Sequence, residues 1–197
     1  MSEDVKSRIL DAAKRLFAER GYDATSVRQI CEEAGANVAL VSYHFGGKEK
    51  LLLCLCEQFF PGTETFAEFD EIEDPIDRVK QFIKLHYQWK RRNSEISQIV
   101  YNEMMLQSER RELLQQYVYP VWKRLQKALR EAREQERLQF SSLDVALLYA
   151  NGTLTYPHHA NFFDSMLDGE QHTDEELIRT YTRYILLGLG ANTSDID

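Results

Sequence analysis

The chain has 197 residues, of which 43% are apolar and 28% charged, and its net charge is −8. This composition is typical of a soluble globular protein and excludes an intrinsically disordered one. No apolar run approaches the roughly 20 residues of a membrane-spanning helix, and the N-terminus has no signal-like apolar core. We therefore expect a cytoplasmic protein with no membrane partner.

Cysteine usage also limits the class of protein. The three cysteines, Cys31, Cys54 and Cys56, form an odd set without the spacing of a disulfide framework. We expect them to pack as small buried side chains, with a redox switch as the alternative.

The acidic charge is unevenly distributed. Residues 1–60 contain 8 Lys and Arg against 9 Asp and Glu, a net −1, whereas residues 61–197 contain 16 against 23, a net −7. Nucleic-acid-binding domains usually have a basic surface, so this charge counts against DNA binding through a general electrostatic field. DNA affinity would have to come from a few local cations and helix N-termini.

Helical periodicity dominates the chain, and no strand alternation interrupts it, which predicts an all-α fold of about nine helices. Ser26 and Gln29 form a possible capping box for the second helix, and Asn37 is a possible N-cap for the third. The first four predicted helices run over about 4–20, 27–34, 38–45 and 48–60, and end at Gly21, Gly35, Gly46-Gly47 and Pro61-Gly62.

The later helices are longer. Predicted starts lie at Asp74-Pro75 and Ser94, and a charged helix follows from about Ser108 to Arg137. The last two helices are predicted over about Leu143–Met166 and Asp174–Gly190, the first of them interrupted by the segment from Tyr156 to Phe162. His158 and His159 in that segment point about 100° apart if helical and cannot easily share one ion. We therefore predict no metal site and no cofactor.

The second and third helices carry the functional signal. Two short helices joined by a three-residue, glycine-containing turn fit a helix-turn-helix, whose second helix enters a DNA major groove about 12 Å wide. The geometry alone is a weak signal, because other helical bundles contain such turns.

The residue pattern is more specific than the geometry. The segment Gly21-Tyr22-x-x-Thr25-Ser26-Val27-x-x-Ile30-x-x-x-Ala34-Gly35-Ala36-Asn37, followed by Tyr43-His44-Phe45-x-x-Lys48-Glu49-x-Leu51, resembles the DNA-binding domain of TetR-family regulators. The resemblance covers about the first 55 residues. It implies a three-helix DNA-binding domain over residues 1–50, and a helical effector-binding and dimerisation domain over residues 51–197.

The resemblance also implies roles for single residues. Thr25 and Ser26 would cap the second helix and offer a hydroxyl or backbone N–H to phosphate. Asn37 would cap the recognition helix, and Lys48 would contact the DNA backbone. The groove-facing positions would be Ala39, Leu40, Tyr43 and His44.

Several of these residues have simpler interpretations. Tyr43 would otherwise be a half-buried aromatic, His44 a packing or capping side chain, and Lys48 an ordinary solvated lysine. Val38 is a core residue by periodicity but a surface residue by the resemblance, where it or Leu40 could contact thymine methyl groups.

The resemblance further implies a homodimer that pairs through the last two long helices. Two recognition helices would then read half-sites of an inverted-repeat operator roughly 34–36 Å apart. A small apolar or aromatic effector fits the aromatic content of the second domain, although a helical core would use the same side chains. The candidate effector-binding residues are Trp89, Tyr101, Met104, Met105, Tyr119, Trp122, Tyr149, Tyr156 and Phe162.

The expected function is that of a ligand-released transcriptional repressor. An enzyme is not favoured, since the chain has no phosphate-cradling glycine loop, no His-Glu-x-x-His and no Gly-x-Ser-x-Gly, and we predict no catalytic residue. The alternative is a helical adaptor that binds protein through its third helix.

Overall fold

The computed structural model describes residues 2–60, 67–106, 108–156 and 163–195, and all regular structure within these ranges is helical. The all-α prediction is therefore confirmed. The α-helices in chain order are α1 (Ser2–Arg20), α2 (Val27–Ala34), α3 (Val38–Phe45), α4 (Lys48–Phe59), α5 (Ala67–Asp70), α6 (Pro75–Arg92), α7 (Ser94–Met105), α8 (Arg111–Glu134), α9 (Leu143–Thr155) and α10 (Asp174–Gly188).

Predicted helix boundaries agree best near the N-terminus, where caps and glycines mark them. Helix α9 ends at Thr155, well before the predicted Met166, while residues 163–166 form a short 3-10 turn. The predicted interruption covers residues 156–162, of which Tyr156 directly follows α9 and residues 157–162, with the two histidines, lie outside the described residues. The predicted helix end at Pro61-Gly62 also lies outside them.

The chain divides into two compact units. The first comprises Met1–Pro61 and Lys90–Pro120, and the second comprises Gly62–Trp89 and Val121–Asp197. The first unit thus adds α7 and the start of α8 to the four N-terminal helices. These units do not coincide with the expected segments 1–50 and 51–197, and the assignment of separate functions to those segments stays a prediction.

Apolar faces of the N-terminal helices form the core of the first unit. Helix α1 buries one stripe, to which α2, α3, α4 and α7 add their own buried residues. The core side chains of this unit are Ile9, Ala13, Leu16, Phe17, Ile30, Val41, Leu51, Leu52, Leu55, Ile96 and Ile99. Burial of a Leu, Ile or Phe side chain contributes about 1.5–3 kcal/mol, so this core holds α2 firmly against α1, and α3 against α2 and α4.

The second unit has its own core, to which α6, α8, α9 and α10 contribute. Its largest buried side chains include Phe82, Ile83, Leu125, Leu129, Ile185 and Leu186. Among the described residues, no helix is both long enough and apolar enough to cross a membrane.

Candidate nucleic-acid interface

Helix α2 is fixed at both of its ends by local hydrogen bonds. The N–H of Gln29 donates to the Ser26 hydroxyl at 3.2 Å, and the N–H of Ser26 donates to the Gln29 side-chain oxygen at 2.8 Å, which confirms the capping box. After α2, Gly35 adopts φ 60° and ψ 40°, a left-handed conformation that costs glycine little. The chain therefore turns sharply into α3.

Helix α3 is anchored along one side only. The N–H of Ala39 donates to the Asn37 side-chain oxygen at 2.9 Å, so Asn37 is the N-cap, as predicted. Val41 and Phe45, one turn apart, are buried in the core of the first unit. Because successive helical residues rotate by about 100°, Ala39 and Tyr43 lie on the opposite side of α3.

The opposite side of α3 is open to solvent. Tyr43 is 82% exposed and Val38 48% exposed, so Val38 is a surface residue, as the family resemblance implied and periodicity did not. A half-buried role for Tyr43 is excluded by the same exposure. The His44 ring packs edge-on against the Tyr43 ring at a centroid distance of 4.9 Å, and His44 and Leu40 are half-buried on the flanks of α3.

Lys48 begins α4 next to this surface. Its ammonium lies 4.0 Å from the centroid of the Tyr22 ring, in cation–π geometry. Burial lowers the pKa of Lys48. The charge of Arg110 also acts to lower this pKa, whereas the charges of Asp23 and Glu103 act to raise it. Lys48 is therefore a partly desolvated, positioned cation and not an ordinary solvated lysine.

Thr25 is placed differently from its neighbour Ser26. Its side chain is buried, and its hydroxyl donates to the carbonyl oxygens of Gly21 at 2.8 Å and Leu16 at 3.2 Å. Its backbone N–H donates to the carbonyl of Tyr22. Both donors that the resemblance offered to phosphate are thus used inside the protein, and Thr25 holds the turn after α1.

The expected effector-binding residues are divided between the two units. Tyr101, Met104, Met105 and Tyr119 lie in the first unit, whereas Trp89, Trp122, Tyr149 and Tyr156 lie in the second. Phe162 lies outside the described residues. In the second unit, the centroid of the Trp122 ring lies 5.3 Å from that of the Phe82 ring and 5.1 Å from that of the His86 ring. Met104, Met105, Tyr119, Tyr149 and Tyr156 are exposed, so they do not form the core that was their alternative role.

Two side chains at the interface were not identified from the sequence. The motif that resembles the family contains Tyr22 but predicts no role for it, and the Tyr22 ring contacts Lys48. Arg110, just before α8, lies over the same ring and pairs with Asp23, which is distant in sequence. The position of Tyr22 directly after Gly21, within the motif that resembles the family, could have suggested Tyr22, but no local pattern indicated Arg110.

Comparisons with known proteins show what this geometry is similar to. The family model for "Bacterial regulatory proteins, tetR family" matches residues 9–55, which span α1 to the middle of α4. The chain is 26% identical over 163 residues to the probable HTH-type transcriptional regulator YttP of Bacillus subtilis, covering 80% of this chain and 79% of that protein. The solved structure of HlyIIR, a hemolysin II transcriptional regulator, superposes with a TM-score of 0.78 at 27% identity, covering 98% of this chain and 100% of that chain.

The chain is similar to TetR-family regulators, and its residues 9–55 match the family model. Over a shorter stretch of 53 residues it is 42% identical to the HTH-type transcriptional repressor AcnR of Corynebacterium efficiens, covering 27% of this chain and 28% of that protein. The chain is a DNA-binding transcriptional regulator with a helix-turn-helix formed by α2 and α3. The matched range contains the whole surface from Ser26 to Lys48, and a protein-binding adaptor is not favoured.

Proposed function

We propose that this regulator is a homodimeric repressor that reads an inverted-repeat operator and releases it when a small apolar or aromatic effector binds. The observation that carries the proposal is the one-sided anchoring of α3, with Val41 and Phe45 buried and Tyr43 82% exposed. A rigid helix with a free polar and aromatic face is what major-groove reading requires. Repression is supported by the relative AcnR, which is named a repressor.

The outward face of α3 divides the expected contacts into two kinds. Ala39, Leu40, Tyr43 and His44 would approach base edges, with Leu40 on thymine methyl groups. Ser26, Asn37 and Lys48 would bind phosphates and fix the register of α3 in the groove. Thr25 would act indirectly, because its hydroxyl is held by Gly21 and Leu16.

Dimerisation is supported by an exposed apolar surface on the last two helices. Val145, Leu148 and Tyr149 share one side of α9, and Tyr184 and Leu187 share one side of α10. The two helices are tied together there, since the Tyr149 hydroxyl donates to the carbonyl oxygen of Tyr184 at 3.0 Å. Apolar side chains at this spacing on adjacent helices fit a helical interface with a second copy of the chain.

Effector binding is supported by the aromatic cluster of Phe82, His86 and Trp122 in the second unit. The His86 ring is stacked on the Phe82 ring, with a centroid distance of 5.8 Å and an interplanar angle of 18°. The Trp122 ring packs against both of them. Phe82 is buried, whereas His86 and Trp122 are half-buried and would offer a ligand flat apolar contact area with a few polar atoms, as small-molecule sites do. Release of DNA requires that the effector prefer the conformation that does not fit the operator.

Selection of binding sites from random duplex DNA, followed by affinity measurements at two salt concentrations, tests the DNA-binding part. We expect an inverted repeat whose affinity falls as salt rises, because phosphate contacts release counterions. Failure of a folded dimer to enrich any sequence at low salt would contradict the proposal and favour the adaptor. The selected operator then serves to screen apolar and aromatic compounds for release.

Leu148→Glu tests the dimer, with Leu106→Glu as its matched control. The two leucines are similarly exposed, at 69% and 66%, but Leu106 lies at the end of α7 in the first unit. Analytical ultracentrifugation should show Leu148→Glu as a monomer and Leu106→Glu as a dimer, because a buried unpaired carboxylate is costly in an interface. A dimer that survives Leu148→Glu would place the interface elsewhere.

A further inference from the structure

Arg110 connects three parts of the first unit that are distant in sequence. Its Nη2 lies 2.8 Å from a carboxylate oxygen of Asp23, in the turn between α1 and α2. Its Nε lies 2.9 Å from a carboxylate oxygen of Glu103, near the end of α7. The Glu103 side chain is only 1% exposed and also accepts a hydrogen bond from the Ser108 hydroxyl. Arg110 is thus held by two carboxylates, one of them buried.

The guanidinium held in this way lies against the Tyr22 ring. The Arg110 Cζ is 4.0 Å from the ring centroid, the same distance as the Lys48 ammonium. Tyr22 therefore contacts two cations, one fixed by salt bridges and one at the start of α4. The Tyr22 ring also packs on Phe17 of α1 at a centroid distance of 5.2 Å.

We propose that Arg110 is a positioning residue for DNA binding, which sets the place of the Lys48 ammonium through the Tyr22 ring. The inference rests on the proposed role of Lys48 as a phosphate contact. A lysine side chain has four rotatable bonds along its stem, so a free Lys48 would lose rotamer freedom on binding phosphate. Holding its stem against a fixed ring reduces this loss, and Arg110 with its two carboxylates fixes the ring.

Two features of the network favour positioning over simple stability. Asp23 neutralises Arg110 locally, so the guanidinium can lie near Lys48 without expelling it. The Arg110–Tyr22–Lys48 contacts also connect the segment just before α8 with α4, the helix that follows the recognition helix. A role in stability alone would not require Arg110 to contact the same aromatic ring as the lysine that is proposed to bind DNA.

A double-mutant cycle on operator affinity tests the proposal. Arg110→Met is compared in the wild-type and Lys48→Ala backgrounds, with Arg111→Met as the matched control, because Arg111 is an exposed neighbour of the same charge. We expect Arg110→Met to weaken binding about tenfold in the wild type and less than about twofold with Lys48→Ala. Arg111→Met should give the same small change in both backgrounds. Equal losses for Arg110→Met in both backgrounds would overturn the proposal.

Loss of Arg110 leaves the buried Glu103 without its cation and could unfold the first unit, so variants of Tyr22 provide the second test. Tyr22→Leu removes the ring and leaves the Arg110–Glu103 pair in place, whereas Tyr22→Phe keeps the ring. Tyr22→Leu should weaken operator binding in the wild-type background and much less in the Lys48→Ala background, as Arg110→Met does. Tyr22→Phe should bind the operator as the wild type does. Operator affinity that is unchanged in Tyr22→Leu would refute the inference.

An NMR titration of the lysine side chains separates failure of this inference from failure of the proposed function, since it needs no DNA. Arg110→Met should raise the pKa of Lys48, because Arg110 acts to lower it while Asp23 and Glu103 act to raise it. Arg111→Met should leave the pKa of Lys48 unchanged. A wild-type protein that binds no DNA would contradict the proposed function, whereas an unchanged Lys48 pKa in Arg110→Met would contradict only the positioning role.

Discussion

Replacing Thr25 by valine separates a structural hydroxyl from a DNA-binding one. Valine has nearly the shape of threonine but cannot donate a hydrogen bond, so the carbonyl of Gly21 loses a partner at 2.8 Å and that of Leu16 one at 3.2 Å. A lost hydrogen bond costs about 0.5–1.5 kcal/mol, and a buried acceptor without a partner costs about 1–3 kcal/mol. We expect Thr25→Val to destabilise the protein by about 2 kcal/mol, which lowers Tm by about 4–8 °C for a chain of this length.

The same variant should leave DNA binding almost unchanged. Thr25 is buried and both its donors are used inside the protein, so operator affinity measured well below Tm should stay within about twofold of wild type. Thr25→Ser is the matched control, because it keeps the hydroxyl and loses only a methyl group, at about 1 kcal/mol. Thermal unfolding at a fixed protein concentration and fluorescence anisotropy with the selected operator provide the two readouts. A tenfold loss of affinity in Thr25→Val with unchanged Tm, about 1.4 kcal/mol of binding, would refute the inward orientation of the hydroxyl.

Three further substitutions test other parts of the structure. Tyr43→Ala should weaken binding about tenfold more on the selected operator than on random DNA, and equal losses would make Tyr43 a phosphate-side contact. Lys48→Ala should weaken binding on all sequences and reduce the salt slope by about one, so an unchanged slope would exclude a phosphate contact. Burial lowers the pKa of Lys90 from 10.5 to about 8, so the unfolded chain binds the extra proton between these values and stability rises with pH there. The free energy of unfolding in urea should rise between pH 8 and pH 10.5, and Lys90→Met should reduce this rise by up to about 3 kcal/mol. A rise that is undiminished in Lys90→Met would show that another group binds the proton.

Local signals in the sequence were sufficient for the helix-turn-helix. Ser26 with Gln29, Asn37 and the glycines around them act through hydrogen bonds and backbone conformations within four residues, so their roles are readable from spacing alone. The anchoring of α3 by Val41 and Phe45 follows from the same local periodicity. Val38 shows the limit of this reasoning, because an apolar residue in a short helix has no local signal for exposure.

Interactions between distant segments were not predictable in this way. Asp23 and Arg110 are 87 positions apart, and only the packing of α7 beside α1 brings them together. The inward turn of the Thr25 hydroxyl likewise depends on where α1 ends relative to α2. The division of the expected effector-binding residues between two units also reflects tertiary packing, since Tyr119 and Trp122 are three residues apart in one helix.

The acidic charge of the chain is reconciled with DNA binding by where the carboxylates lie. In the described part of the first unit, Glu32 forms a salt bridge with Arg28, and Glu33 forms one with Arg15. These pairs neutralise two carboxylates, but they also neutralise two cations. Among the described residues, the lysines near α3 include Lys6, whose ammonium lies 5.9 Å from the centroid of the Phe45 ring, together with Lys48 and Lys50. With few phosphate contacts, affinity depends on each cation being held where the phosphate will lie, because there is no excess charge to compensate for a misplaced one. A regulator of this charge therefore has more to gain from fixing Lys48 on the Tyr22 ring than a strongly basic relative would.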